Sequence, residues 1–287
     1  MEELKNYLKS NGLPMTVMLA EDGTRLKEQA QYDPKTNTLT GCVAPLNNDG
    51  LPVGNYFDAT DAYRVIEQLN TCSLATTAYV QLAIPLSEKA APFVLFYLAT
   101  NSTFKHFDVI RRWFYTIALL KSHGIEVLAI GSDGDTTLLK AMITLTKFLS
   151  KPSFELGTFF SIAAAQCPIF FQDTLHLLNK IRRRLFTRPG SLIVGSAKPR
   201  VKHLEILVKR HSKDKHGLTM ADLNPTDLMS FDPTEKVMKK DMIDYMERNV
   251  AGSEGTVALL RNMQNIYRAF IEANITPLER IAMCWYD

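Results

Sequence analysis

Two carboxylates close an apolar run of strand length in Glu126-Val127-Leu128-Ala129-Ile130-Gly131-Ser132-Asp133-Gly134-Asp135, and a helical pattern, Leu138-Leu139-Lys140-Ala141-Met142, follows at once. In open α/β sheets, ligands gather beyond the carboxyl ends of the strands, so an acid placed there reaches a metal ion or a phosphate while its strand stays buried. Much earlier, Met15-Thr16-Val17-Met18-Leu19-Ala20 ends the same way, in Glu21-Asp22. Two such strands on one rim would make a divalent-cation site. Mg²⁺ and Mn²⁺ favour oxygen ligands, and phosphodiester chemistry by a metal pair needs carboxylates that bridge ions about 4 Å apart. Asp22 and Asp133 are the first choices as ligands, with Glu21 and Asp135 as the adjacent alternates. Plainer roles compete: Asp135 is placed to cap the following helix, and Asp22-Gly23 is a turn dipeptide. Asp173 ends a third apolar run, with His176 in the first turn of the next helix. Asp173 is also an N-cap by position, and His176 a structural hydrogen-bonder.

Charge is unevenly distributed. From Lys180 to His216 the chain carries twelve Lys or Arg against Glu205 and Asp214, so that stretch is +10 and the rest of the +3 chain is −7. A basic block beside an acidic site suits a polyanion drawn to a metal-holding pocket. Lys180, Arg182, Arg183, Arg184, Arg188, Lys198, Arg200, Lys202, Lys209 and Arg210 are the candidate phosphate contacts, the Arg182–Arg184 run being expected on the exposed side of its helix. Phe159-Phe160 and Trp113-Phe114-Tyr115 read as core rather than as base-stacking surfaces. No P-loop, no GxGxxG after a strand, no HExxH and no GxSxG appears, which removes the usual support for nucleotide-dependent, zinc-protease and serine-hydrolase readings. The four widely spaced cysteines (42, 72, 167, 284) read as reduced thiols of an intracellular protein. No apolar stretch is long enough to span a bilayer, and the first residues lack the pattern of a signal peptide.

These groups need a scaffold. Residues 1–14 form an amphipathic lead-in, residues 16–20 a strand, and residues 28–32 and 39–43 a hairpin around Asp33-Pro34. Residues 45–60 make a loop and residues 60–70 a helix. Residues 77–85 and 92–100 form an antiparallel pair. The helix over 104–123 has an apolar stripe at Phe107, Ile110, Phe114, Ile117 and Leu120. Strand 126–132, helix 136–150, strand 168–173 and helix 175–186 follow. Beyond about residue 195 only helical patterns occur: 201–211, 219–223, 233–248, 253–273 and a last piece after Pro277. Antiparallel strands followed by α-β-α-β predict a mixed five-stranded sheet with flanking helices. Its first strand is central, beside the strand that ends at Asp133. This is the ribonuclease-H-like layout, over residues 1–192, followed by an all-α region over 193–287.

Several motifs, in order, resemble the catalytic region of P-element-type (THAP-associated) transposases. Glu21-Asp22-Gly23-Thr24-Arg25 with Gln31-Tyr32-Asp33 and Leu39-Thr40-Gly41-Cys42-Val43 resembles its first acid strand and "YD…GFV" hairpin. Ile130-Gly131-Ser132-Asp133-Gly134 resembles its second acid motif, and Asp173 to Arg182 its "D-x-x-H-L-x-K-x-x-R" helix start. Residues 253–270 are similar to the helical insertion domain of that family. The resemblance implies Mg²⁺-dependent (or Mn²⁺-dependent) DNA cleavage and transfer, with Asp22 as the first catalytic, metal-binding acid and Asp133 as the second. Asp173 and His176 would lie beside them. The family's third acid, a Glu, has no match, although Glu254, Glu272 and Glu279 lie in the helical part. DNA is the implied partner, with no membrane; self-association is compatible with it, and residence is nuclear, with the cytosol still open. The alternatives are a catalytically inactive DNA-binding or protein-interaction module, and a small stand-alone nuclease.

Overall fold

A computed structural model describes residues 1–87, 90–149, 168–187, 192–224 and 230–285. The chain divides into two compact units, Met1–Gln172 and Asp173–Asp287.

The first unit is built on a five-stranded sheet. Its strands are β1 (Thr16–Arg25), β4 (Thr77–Pro85), β5 (Phe93–Thr100), β6 (Glu126–Ser132) and β7 (Ile169–Gln172). They run in the order β5-β4-β1-β6-β7. The pairs β1–β4 and β4–β5 are antiparallel, while β1–β6 and β6–β7 are parallel. The first strand is therefore central and flanked by the strand that ends before Asp133, as the element order predicts. A separate hairpin, β2 (Gln31–Asp33) with β3 (Thr38–Thr40), stands apart from this sheet.

Period-two burial marks the core face. Val17, Leu19 and Glu21 of β1 alternate inward with Tyr79, Gln81 and Ala83 of β4. The first core combines Val17, Leu19, Tyr79 and Ala83 with Leu4 and Leu8 of α1 (Glu2–Ser10), Val109, Trp113 and Leu120 of α3 (His106–Ser122), and Leu138, Ala141, Met142 and Leu145 of α4 (Thr136–Leu149). α2 (Ala62–Thr71) buries no residue and is capped by Asp61, which accepts from the Arg64 N–H at 2.8 Å.

The stripe expected on α3 is displaced. Its buried residues are Val109, Arg112, Trp113, Thr116 and Leu120, whereas Phe107 and Phe114 are exposed. A charged residue thus occupies the core line, which an apolar-periodicity count discards. The reduced-thiol expectation is also corrected: Cys42 and Cys72 are joined by a disulfide, with Cα atoms 5.8 Å apart. Residues 42 and 74 form an isolated bridge there, a proximity that sequence spacing does not reveal. Cys284 is free and exposed, and Cys167 and Phe159-Phe160 lie outside the described residues.

The second unit is helical. Its elements are α5 (Thr174–Thr187), α6 (Val201–Arg210), α7 (Lys213–His216), α8 (Met220–Leu223), α9 (Asp232–Val237), α10 (Lys240–Asn249), α11 (Glu254–Phe270) and α12 (Pro277–Trp285). The helix expected over 233–248 is two helices, broken at Met238-Lys239. Leu178 and Leu185 of α5 pack with Leu204, Leu207, Val237, Met242, Met246, Leu260 and Met263 in one core. α5 gives its apolar face to that core and counts with the second compact unit, Asp173–Asp287. Among the described residues no helix is long and apolar enough to cross a membrane.

Candidate functional site

Glu21 and Ser132 are paired across the parallel β1–β6 ladder, and Asp22 and Asp133 each follow that pair by one residue. The side chains then diverge. Alternation along β1 buries Glu21 completely and leaves Asp22 exposed on the other face, where its Oδ1 accepts from the Gly23 N–H at 2.7 Å. Asp133 Oδ1 accepts the Asp135 N–H at 2.8 Å. Asp135 Oδ1 in turn accepts from Thr137 and Leu138 at 2.8 and 3.2 Å, so it is the N-cap of α4. Gly134 allows this turn: its φ is +77°, and a Cβ there would sit 2.1 Å from Gln172 Nε2.

Both Glu21 oxygens are engaged. Oε1 accepts a hydrogen bond from the Arg112 guanidinium, itself wholly buried. Oε2 accepts from Trp113 Nε1 at 2.7 Å and from Gln81 Nε2 at 3.1 Å. Arg112 also donates to the Gly50 carbonyl at 3.2 Å and lies 5.5 Å from the centre of the Phe104 ring. A buried carboxylate is tolerable only when paired and hydrogen-bonded, and these donors meet that demand without a metal ion. Tyr79 joins the same group. Its ring covers Gly23, where a Cβ would come within 3.0 Å of Cε1. Burial, then the nearby carboxylate of Asp135, then the charges of Asp133 and Glu21, push the phenol above its ordinary range.

The donor set does not fit a two-metal centre. Glu21, the acid on the core face, is an ion-pair partner rather than an available ligand. Among the described residues no group of three or more His, Cys, Asp or Glu side chains is placed to hold a metal ion. Asp173 and His176 belong to the second unit, where Asp173 Oδ1 caps α5 through the His176 N–H at 3.0 Å. Of the helical acids, Glu272 pairs with Arg268 at 3.0 Å and Glu279 accepts from the Thr276 N–H at 2.9 Å, while Glu254 opens α11.

Compared with solved structures, the chain is similar to the Drosophila P element transposase in a strand transfer complex, with a TM-score of 0.59 and 15% identity. The chain has a transposase-like fold. The likeness covers 88% of this chain and 50% of that one, so the chain spans about half the length of the structure it matches. No family model and no curated protein sequence matches.

The basic block lies in the second unit. Lys180, Arg183, Arg184, Lys198, Arg200, Lys202, Lys209 and Arg210 are exposed. α6 explains part of this: Leu204 and Leu207 face the core, which turns Lys202 and Lys209 outward. Lys209 lies 3.9 Å from Glu205. Arg182 is a correction. It is only 2% exposed, donates from Nε to Thr234 Oγ1 at 2.8 Å, and so is not a surface phosphate contact. Arg188 lies outside the described residues.

Sequence reasoning missed Arg112, Gln81 and Tyr79 and placed Trp113 in the core without its role. A signal did exist: Arg112 falls three residues after Val109 and four before Thr116, in phase with Leu120. A charged residue on a helix's core line asks for a buried counter-charge, and Glu21 at the end of an apolar strand supplies one.

Proposed function

We propose that this protein is a DNA-binding module descended from a P-element-type (THAP-associated) transposase. The observation that carries the reading is a transposase-like fold whose helical unit exposes a run of eight Lys and Arg side chains between Lys180 and Arg210. Phosphate neutralisation by such side chains releases counterions and supplies affinity without base contacts. A nuclear residence follows from that partner.

A second reading is metal-dependent strand cleavage and transfer. Its support is positional: Asp22 and Asp133 each lie one residue past a paired rim position. It would require Mg²⁺ or Mn²⁺ and a third acid beyond the described set.

Fluorescence anisotropy with a labelled duplex, across a salt series, tests the first reading. Affinity should fall steeply with salt, and Lys202→Glu/Lys209→Glu/Arg210→Glu should weaken binding at least tenfold. Salt-independent binding, or binding indifferent to the triple reversal, overturns it. Nicking of supercoiled plasmid with Mn²⁺ tests the second reading; activity abolished by Asp133→Ala would establish it over the non-catalytic module.

A further inference from the structure

We propose that the outer face of α3 is a stacking platform for unpaired DNA bases. This rests on the DNA-binding reading above and adds a contact in the first unit for the single-stranded form of the same polymer. Positions 107, 111, 114, 118 and 121 recur at steps of four and three, so they make one stripe along the helix. They hold Phe107, Arg111, Phe114, Ala118 and Lys121, and all five are exposed. Phe107 is 56% exposed and Phe114 52%, with Tyr115 at 40% on the flank. The core side of the helix lies elsewhere, at Val109, Arg112, Trp113, Thr116 and Leu120. Phe114 and Tyr115 are therefore surface residues, unlike their neighbour Trp113.

The chemistry of the stripe says what would cover it. Rings and cations alternate: Arg111 stands between the two phenylalanines, and Lys121 closes the line. An apolar protein surface could cover the rings only by desolvating the guanidinium between them. An unpaired nucleotide satisfies both, because its base offers a π-face to a ring and its phosphate a negative charge to a cation. Paired bases are stacked within the duplex and present only their edges in the grooves, so exposed rings select single strands. Phe107 and Phe114 are about 10 Å apart along the axis at about 1.5 Å per residue, close to three base steps of about 3.4 Å. The Asp108 carboxylate is 3.9 Å from the Arg111 guanidinium. An ion pair this open to water is weak and gives way to a phosphate. The His106 ring centre lies 4.1 Å from that of Phe107, which narrows the orientations Phe107 samples before a base arrives.

Fluorescence anisotropy with a labelled oligothymidylate, run beside the labelled duplex on the intact chain, tests the proposal. Stacking on an aromatic side chain is worth about 5- to 150-fold in affinity per base. Phe107→Leu/Phe114→Leu keeps apolar side chains but removes both rings. It should weaken oligothymidylate binding at least tenfold, with duplex affinity and the circular dichroism spectrum as in the wild type. Phe107→Trp/Phe114→Trp should keep the affinity, and its added indole emission should be quenched at saturation. Arg111→Gln should flatten the single-strand dependence of log affinity on log salt by about 0.7, a slope the leucine variant should leave unchanged. A wild type that does not bind oligothymidylate overturns the proposal. So does a leucine variant that binds it as well as the wild type, one that loses duplex and single strand alike, or a tryptophan variant whose indoles are not quenched. A wild-type dimer that Phe107→Ser/Phe114→Ser turns to monomer, with oligothymidylate affinity unchanged, overturns it too and gives the face to a second copy. If the leucine variant does not fold, the tryptophan variant still decides. Failure of the DNA-binding reading shows differently, as duplex binding indifferent to salt or to Lys202→Glu/Lys209→Glu/Arg210→Glu.

Discussion

Each unit buries an arginine, and the two are handled differently. Arg112 is 0% exposed and meets a carboxylate, Glu21, that is equally buried. Arg182 is 2% exposed and donates from Nε to a hydroxyl, Thr234 Oγ1, which in turn donates to Asn179 Oδ1. Among the described residues its Nη2 has no hydrogen-bond partner, and the Phe186 ring centre lies 5.9 Å away. Burial, followed by the neighbouring Arg183 charge, lowers the affinity of Arg182 for its proton. Among the described residues the first unit therefore pairs its buried arginine with a carboxylate, whereas the second gives Arg182 a hydroxyl and a ring face. Loss of a partner should cost far more in the first case than loss of the charge in the second.

The largest expected effect is at Glu21. Glu21→Gln keeps the shape but strands the Arg112 charge, and breaking a buried pair costs about 3–5 kcal/mol. Urea unfolding followed through Trp113 fluorescence should show that loss. Glu21→Gln/Arg112→Met should recover a large part of it, because the orphaned charge is gone. A double variant no more stable than Glu21→Gln would mean that the pair contributes through packing alone, and the contrast with Arg182 would collapse.

Tyr79→Phe comes next, at about 1 kcal/mol, for loss of a buried polar hydroxyl near the Asp135 carboxylate. The pH dependence sharpens this. The folded phenol ionises above the ordinary value of about 10, so folding favours its protonated form. That contribution is fully present below about pH 10 and is lost as pH rises through the folded pKa. Wild-type stability should decline above about pH 10 by more than that of Tyr79→Phe. A spectrophotometric titration at neutral to high pH should find one tyrosine fewer ionising in the ordinary range.

How much of this was legible in the sequence depends on the period of each signal. The mixed five-stranded sheet and its central first strand followed from strand-length runs and crossovers, and Asp135 as a cap followed from its place between a strand and a helix. The ion pair was hidden because Glu21 and Arg112 are far apart in sequence and an apolar count over α3 selects Phe107 and Phe114, both exposed. Those two phenylalanines are in helical phase with Ile110 and Ile117, so the pattern is real but its centre is displaced toward Arg112. The packing of α5 was hidden for a related reason. α5 follows a sheet strand directly, and only its contacts show that Leu178 and Leu185 belong to the second core.

Arg182→Met should move stability by only about 1 kcal/mol in either direction. It removes one hydrogen bond to Thr234 but also relieves the cost of burying a guanidinium that has no carboxylate partner among the described residues. Thr234 keeps Asn179 as a partner in the variant. A loss as large as that of Glu21→Gln would place an unrecognised anion beside Arg182 and erase the distinction between the two buried arginines.

The smallest stability effect, and the cleanest separation of roles, lies one residue further along α5. Arg183 and Arg184 are exposed neighbours of Arg182 on the same helix. Arg183→Ala and Arg184→Ala should leave stability within about 0.5 kcal/mol, as surface changes away from buried features do. If they touch phosphate, each should flatten the dependence of log affinity on log salt by about 0.9. Arg182→Met should leave that slope untouched, since its guanidinium is buried away from any polyanion. Three adjacent arginines would then divide by burial alone: one tuned to the core, two to the solvent and its ions. A slope change in Arg182→Met equal to that in its neighbours would show that α5 presents a different face to DNA than the one its core residues dictate.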